Sequence, residues 1–194
     1  MFIKKTQLDV EFCGVKQKTI TTELGILSKD MIEEYILPHL KKGKRGPKPL
    51  IPLYQIVMLI LYRLDSGCKW HQIPIRHIAP EATIGWKTIH HHFRKWAKDG
   101  SWQTSWIELL ANNRRELDMS SVQLDGSHTP AKKGGEAVGY QGRKASKTTN
   151  SLFLADNSGQ MIAMATPQSG SHHDLFEIEK AFKEMDNQLK SAGI

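Results

Sequence analysis

Through most of the first 117 residues, apolar side chains recur every three or four positions; after Asp118 they gather into short continuous runs. The first spacing predicts amphipathic helices and the second predicts strands. Ser28 stands where an N-cap belongs, and Met31, Ile32, Tyr35 and Ile36 share a face until Pro38 stops the run. Leu53, Ile56, Val57, Ile60, Leu61 and Leu64 form a more apolar stripe that Gly67 is placed to close. A short helix is expected around Ile73 to Ile78, a turn from Pro80 to Gly85, and another helix from about Trp86 to Lys98. On that last helix Ile89, Phe93 and Trp96 share one face, and Lys87, His90, His91, Arg94 and Lys95 fall largely on the others. Trp102, Trp106, Leu109, Leu110, Asn113 and Leu117 continue a further helix, whose tryptophans read as core and not as platforms for bases.

After Asp118 the runs "SVQLD", "NSLFLAD" and "QMIAMAT" predict three strands, the last two joined by the turn-forming "DNSG", which points to an antiparallel meander. "SGSHHD" then leads into a helix with Leu175, Ile178, Phe182, Met185 and Leu189 on one face. Ser171 and Asp174 have the spacing of a capping box, with Asp in place of the usual Glu or Gln. The fold class is therefore mixed α/β. An all-α region over 27–117 precedes a strand-rich region over 118–194, and residues 1–26 form an arm with no assigned role.

Composition narrows the function. A hydrophobic fraction of 39% over 194 residues supports packed cores. The net charge of +7 favours a polyanionic partner, and nucleic acid leads because the basic residues cluster beside aromatics and histidines. Cys13 and Cys68 lie far apart in no metal-ligand spacing, so neither a disulfide framework nor a zinc site is indicated, and a reducing cytoplasm fits. The most apolar window, Leu50 to Leu64, is broken by polar residues and too short to span a bilayer; no membrane association is expected.

The basic residues fall in three groups. The linker "KKGKRGPKP" carries Lys44, Arg45 and Lys48, and reads either as a solvated loop or as an arm along a phosphate backbone. Lys87, His90, His91, Arg94 and Lys95 belong to the amphipathic helix, which with the short helix and turn before it resembles a helix-turn-helix module. The run His90 to His92 cannot converge on one metal ion, because consecutive helical residues point apart; polar surface or DNA contact is the better reading. The third group, Lys132, Lys133, Arg143, Lys144 and Lys147, occupies a loop from His128 to Asn150 with Glu136 as its single acid. It reads either as a DNA contact that holds a strand end over the site, through Arg143, Lys144 and Lys147 among others, or as a mobile surface hairpin. Just ahead of that loop, Asp125 ends an apolar run and precedes a glycine. A hard divalent cation seeks such a carboxylate on a rigid element.

Three stretches carry a resemblance: YRLxSGxxW from Tyr62 to Trp70, FRxWxxDGxW from Phe93 to Trp102, and LDGS at Leu124 to Ser127 followed by GxxHD at Gly170 to Asp174. Together they resemble bacterial insertion-sequence transposases of the insertion sequence five group, from about Leu27 onward. The resemblance implies a DDE transposase, with a helical DNA-binding region ahead of a ribonuclease H-like catalytic domain. Three acids there hold two magnesium (or manganese) ions for strand cleavage and transfer. Asp125 matches the first acid and is the expected catalytic and metal-binding residue. Asp156, in a turn, and Asp174, at a helix start, do not match the second, which the family carries on a later strand. That strand and the final glutamate are not found in these residues, so an incomplete ribonuclease H-like domain is expected, inactive alone.

A first reading frame completed by frameshifting, a decayed gene and an incomplete gene prediction all remain open as explanations. The resemblance also implies double-stranded DNA, the terminal inverted repeats, as partner, self-association in a transposition complex, and a place at the bacterial nucleoid. The alternative function is a non-catalytic DNA-binding repressor or inhibitor of transposition. A standalone ribonuclease H-like nuclease is a weaker third.

Overall fold

A computed structural model describes residues 27–42, 49–131, 134–135 and 137–194. The chain divides into two compact units, Met1–Trp106 and Ile107–Ile194. The described residues are mixed helix and antiparallel sheet.

In the first unit, α1 (Lys29–Met31) starts on Ser28, whose Oγ accepts from the Met31 amide at 3.3 Å. It continues as a π turn, Ile32–Ile36, and tightens into a 3-10 turn, Leu37–His39, that contains Pro38. Ile32, Ile36 and Leu40 enter the core. Helix α2 (Leu53–Ser66) buries Ile56, Val57, Met58, Leu59 and Ile60 in succession, so in that stretch it is enclosed on all sides. Gly67 ends it at φ +64°, a left-handed conformation that costs glycine least.

The helix expected over Ile73 to Ile78 is split into a 3-10 turn, Trp70–Gln72, and α3 (Ile75–Ile78). Pro74 explains this: proline lacks the amide a helix needs and pushes Ile73 into an extended conformation, ψ +129°. Helix α4 (Trp86–Lys98) follows the turn as expected. Asp99 and Gly100 turn the chain into α5 (Ser101–Asn113): Gly100 takes φ +77°, and Asp99 Oδ1 accepts from the Ser101 amide and hydroxyl at 3.1 and 2.5 Å. The division between the units falls inside α5. Instead of running on to Leu117, that helix ends at Asn113 and tightens into a 3-10 turn, Arg114–Glu116.

The second unit is built around β3 (Ser146–Asp156). Along one side it pairs antiparallel with β1 (Val122–Pro130) over its last nine residues, Thr148 to Asp156. It also pairs antiparallel with three short strands at successive positions along its length: β2 (Gly139–Gln141), β5 (Gln168–Ser169) and β4 (Met161–Met164). The expected meander is thus β1–β3–β4, with two short strands added. β1 and β3 are longer than the apolar runs that announced them, because backbone pairing continues through the polar residues beyond those runs.

Alternation is strict on β3. Thr148, Asn150, Leu152, Leu154 and Asp156 are buried, and the residues between them are half-buried. Helix α6 (Ile178–Ser191) packs against β4. Gln188 reaches the main chain of Met164 with both ends of its amide, at 3.3 and 2.7 Å, and Glu184 accepts from the Thr166 amide at 2.8 Å. The edge strand thereby finds side-chain partners for its backbone.

Helix α6 begins later than expected. Glu177 takes φ +48°, so the stretch from Asp174 to Glu177 is a series of turns and the capping box does not form. Leu175, expected on the packed face, is 68% exposed; Phe182 is also exposed, and Ala181 and Met185 are the residues buried.

Candidate functional site

The helical unit sorts its basic residues by what their side chains touch. On α4, Lys87, His91, Arg94 and Lys98 are exposed at helical spacing, forming one stripe in a helix without an acid. The other expected contacts turn inward. His90 packs its ring 4.8 Å from Trp70 and 6.4 Å from Trp86, and Lys95 Nζ donates to the Lys41 carbonyl at 3.3 Å. His92 lies 5.1 Å from Trp96; burial, then the charges of His91 and Lys95, hold its imidazole below the usual histidine range. Lys44, Arg45 and Lys48 lie outside the described residues.

The tryptophans of the first two motifs lock this helix in place. Trp70 of YRLxSGxxW sits 5.2 Å from Phe93 of FRxWxxDGxW and carries the Arg63 guanidinium over its ring at 5.5 Å. Trp96 is 1% exposed, meets Trp102 edge-on at 5.7 Å, and donates Nε1–H to the Lys41 carbonyl at 3.2 Å. Lys41 in turn donates from Nζ to the Asp99 carbonyl at 2.7 Å and from its amide to Ser101 Oγ at 3.1 Å. These motif residues therefore build the platform that presents α4.

In the sheet unit, Asp125 is the fourth residue of β1, opposite Phe153, and is exposed. The strand does not end there. Asp125 shares its face with Gln123, Ser127 and Thr129, and Leu124, Gly126 and His128 point to the buried side. Asp156 and Asp174 belong to that buried side. Asp156 accepts from the Asp118 and Gln160 amides at 3.0 and 2.7 Å, tying off the β3–β4 turn. Asp118 is held below the usual carboxylate range by hydrogen bonds from the Asn157 amide and from Ser120. Among the described residues no three His, Cys, Asp or Glu side chains gather to hold a metal ion. Among the described residues, a pair of divalent ions would find one carboxylate, Asp125, on this face of the sheet. The residues present do not fit such a centre.

The third motif pair has a structural meaning that sequence reasoning missed. A Cβ placed on Gly126 would overlap the Asp174 carboxylate, which itself accepts from Asn150 Nδ2 at 2.9 Å. LDGS and GxxHD therefore meet across the sheet, and Gly126 is the residue that lets Asp174 lie on the strand. Gly170 is pressed as closely on Thr148, whose carbonyl accepts its amide at 3.1 Å. His128 extends the cluster: Nδ1 lies 3.2 Å from Thr148 Oγ1 and Nε2 lies 3.3 Å from Gln141 Nε2. The sequence traces of the contact between the two motifs were the glycine after Asp125 and the recurrence of LDGS with GxxHD, neither of which shows that the two segments touch.

The expected basic loop from His128 to Asn150 is largely ordered structure. Its first residues belong to β1, its last to β3, and β2 lies between. Lys144, in a 3-10 turn with Arg143, donates to the His128 carbonyl at 2.9 Å, and Lys147 stands exposed on β3 opposite Tyr140. Lys132, Lys133 and Glu136 lie outside the described residues. Cys68 is a free thiol. Among the described residues no helix is long and apolar enough to cross a membrane.

The fold thus joins a helical unit with a basic exposed helix to an antiparallel sheet carrying one exposed aspartate. Residues 30–106 match the family described as "Putative transposase of IS4/5 family", so this stretch of the chain is similar to IS4/5-type transposases. The match ends at Trp106, where the first compact unit also ends. No curated protein and no solved structure matches the chain.

Proposed function

We propose that this chain is the end-recognising part and first catalytic strand of a DDE transposase. The exposed stripe of α4 would bind the duplex of the terminal inverted repeats, and Asp125 would serve as the first of three acids. The observation that carries this reading is the family match over a unit whose α4 shows Lys87, His91, Arg94 and Lys98 to solvent with no acid among them. Helix α3, the turn at 79–85 and α4 have the order of a helix-turn-helix, in which the second helix enters the major groove. The β1–β3–β4 meander followed by α6 has the order in which a ribonuclease H-like domain opens.

Such an enzyme works with two magnesium or manganese ions, and a lone carboxylate does not hold two hydrated ions in near-octahedral geometry. The 194-residue chain is therefore expected to bind ends without cutting them, and to need further acids for catalysis.

Duplex binding tests the reading. Affinity should fall steeply with salt, because each phosphate neutralised releases counterions. Lys87→Ala with Arg94→Ala should weaken binding and lower the log–log salt slope by roughly one per lost phosphate contact. Binding that ignores salt, or that survives both substitutions unchanged, would remove α4 from the interface.

A further inference from the structure

The face of the sheet that carries Asp125 is polar along β1 and the middle of β3, with Asp125, Ser127 and Thr129 exposed. Thr149, Ser151 and Phe153 are half-buried between neighbouring strands, and Met164 of β4 joins the face opposite Phe153. Its rows follow from the pairing register. Asp125 stands opposite Phe153, Ser127 opposite Ser151, Thr129 opposite Thr149, and on the far side of β3 Lys147 stands opposite Tyr140. Alternation puts all eight side chains on one face, away from buried Leu152 and Leu154. Four successive rows thus run from a carboxylate beside a phenyl ring, over two pairs of hydroxyls, to a lysine beside a tyrosine that is 60% exposed.

Two physical points select the partner. A face meant to be covered by a helix would carry Val, Ile or Leu at its centre, and this one carries serines and threonines. Successive rows are two residues apart, about 7 Å, which is close to the separation of neighbouring phosphates in an extended single strand. Hydroxyls can donate to phosphate oxygens, Lys147 can neutralise one phosphate, and the two rings are flat surfaces for unpaired bases.

We infer that this sheet face is a track for single-stranded DNA, along which an unpaired strand is laid from Tyr140 and Lys147, over the hydroxyl rows, toward Asp125. The track spans about 20 Å, enough for a few nucleotides. The choice of DNA as partner rests on the proposed function above; the track itself rests on the register and exposure of these rows. A duplex, with its bases stacked inside, would leave both rings without a partner. The carboxylate of Asp125 lies about one row from the nearest phosphate position and opposes it.

The test uses the full 194-residue chain and an oligothymidylate labelled for anisotropy, with a bromodeoxyuridine version for photocrosslinking and a duplex as control. Tyr140→Ala should weaken single-strand binding roughly tenfold, the effect of losing one stacked base. Lys147→Gln should weaken it several-fold and lower its salt slope. Asp125→Asn, measured without divalent ions, should strengthen it roughly twofold to threefold by removing one opposing charge at about 7 Å in water. Crosslinks should map to the peptide containing Tyr140. Duplex affinity should stay the same in Tyr140→Ala, and the circular dichroism spectrum and thermal midpoint of all three variants should match the parent, which shows that they are folded. Crosslinks confined to α4, or single-strand affinity unchanged by Tyr140→Ala and Lys147→Gln, would overturn the track. If the chain binds single strands through Tyr140 but duplex not at all, the end-recognition reading fails and the track stands.

Discussion

Gly126→Ala probes the contact between LDGS and GxxHD. The added Cβ would lie 2.6 Å from Asp174 Oδ2 and closer still to Oδ1 and Cγ, so the carboxylate has to move. Asp174 is the far end of a short side chain and can swing away, but doing so breaks its 2.9 Å bond from Asn150 Nδ2. Asn150 is fully buried and its Oδ1 already has no partner, so its amide would be left with only the 3.5 Å contact to the His172 carbonyl. A hydrogen bond to a charged group is worth about 1.5–3 kcal/mol, and the exposure of Asp174 places the loss near the lower end, about 2 kcal/mol. In a unit of this size that lowers the thermal midpoint by roughly 10 °C.

The assay is thermal unfolding followed by circular dichroism on four proteins: the parent, Gly126→Ala, Asp174→Ala and the double variant. Asp174→Ala loses the same bond without a clash, so the double variant should be no less stable than Asp174→Ala alone. Additive losses would refute the reasoning, since they would mean that the alanine methyl meets something other than Asp174.

Gly170→Ala should cost more than Gly126→Ala in the same assay, because its Cβ would come within 2.7 Å of the Thr148 carbonyl carbon and backbone on a central strand cannot yield; equal losses would speak against rigid docking of the 168–174 segment. Trp96→Ala should destabilise the helical unit by about 3–5 kcal/mol, and Trp96→Phe by less but measurably, since it leaves the Lys41 carbonyl without its indole donor; denaturant titration reads both. His92 titrates below its ordinary value of 6.5 when folded, so the unfolded chain takes up the proton first as pH falls. The stability tied to neutral His92 is therefore present above pH 6.5 and lost as pH drops below it, and His92→Gln should flatten that part of a stability–pH curve measured between pH 5 and 8. An unchanged slope would place the sensitivity elsewhere.

Local chemistry was enough to place much of the backbone. Ser28 as N-cap, Gly67 as terminator, the bounds of α4 and the DNSG turn follow from interactions within a few residues of each position, which sequence displays directly. So does the core role of Trp96, because its position on the apolar face of a strongly amphipathic helix leaves it nowhere else to go. The same local logic failed where distant chain supplied the partner. Asp174 has the spacing of a helix cap, but the carboxylate is taken by Asn150 of β3 and the helix starts four residues later. His90 and Lys95 lie beside exposed basic residues on the helix, but Trp70 and the Lys41 carbonyl, brought in from elsewhere, draw them inward. The helix-period pattern, the basic charge and Asp125 with its glycine were legible in the amino-acid order. Which basic groups reach solvent, why Gly126 must be glycine, and which face of the sheet Asp125 shares with the hydroxyl rows were set by strand register and long-range packing, which depend on contacts between residues far apart in the chain.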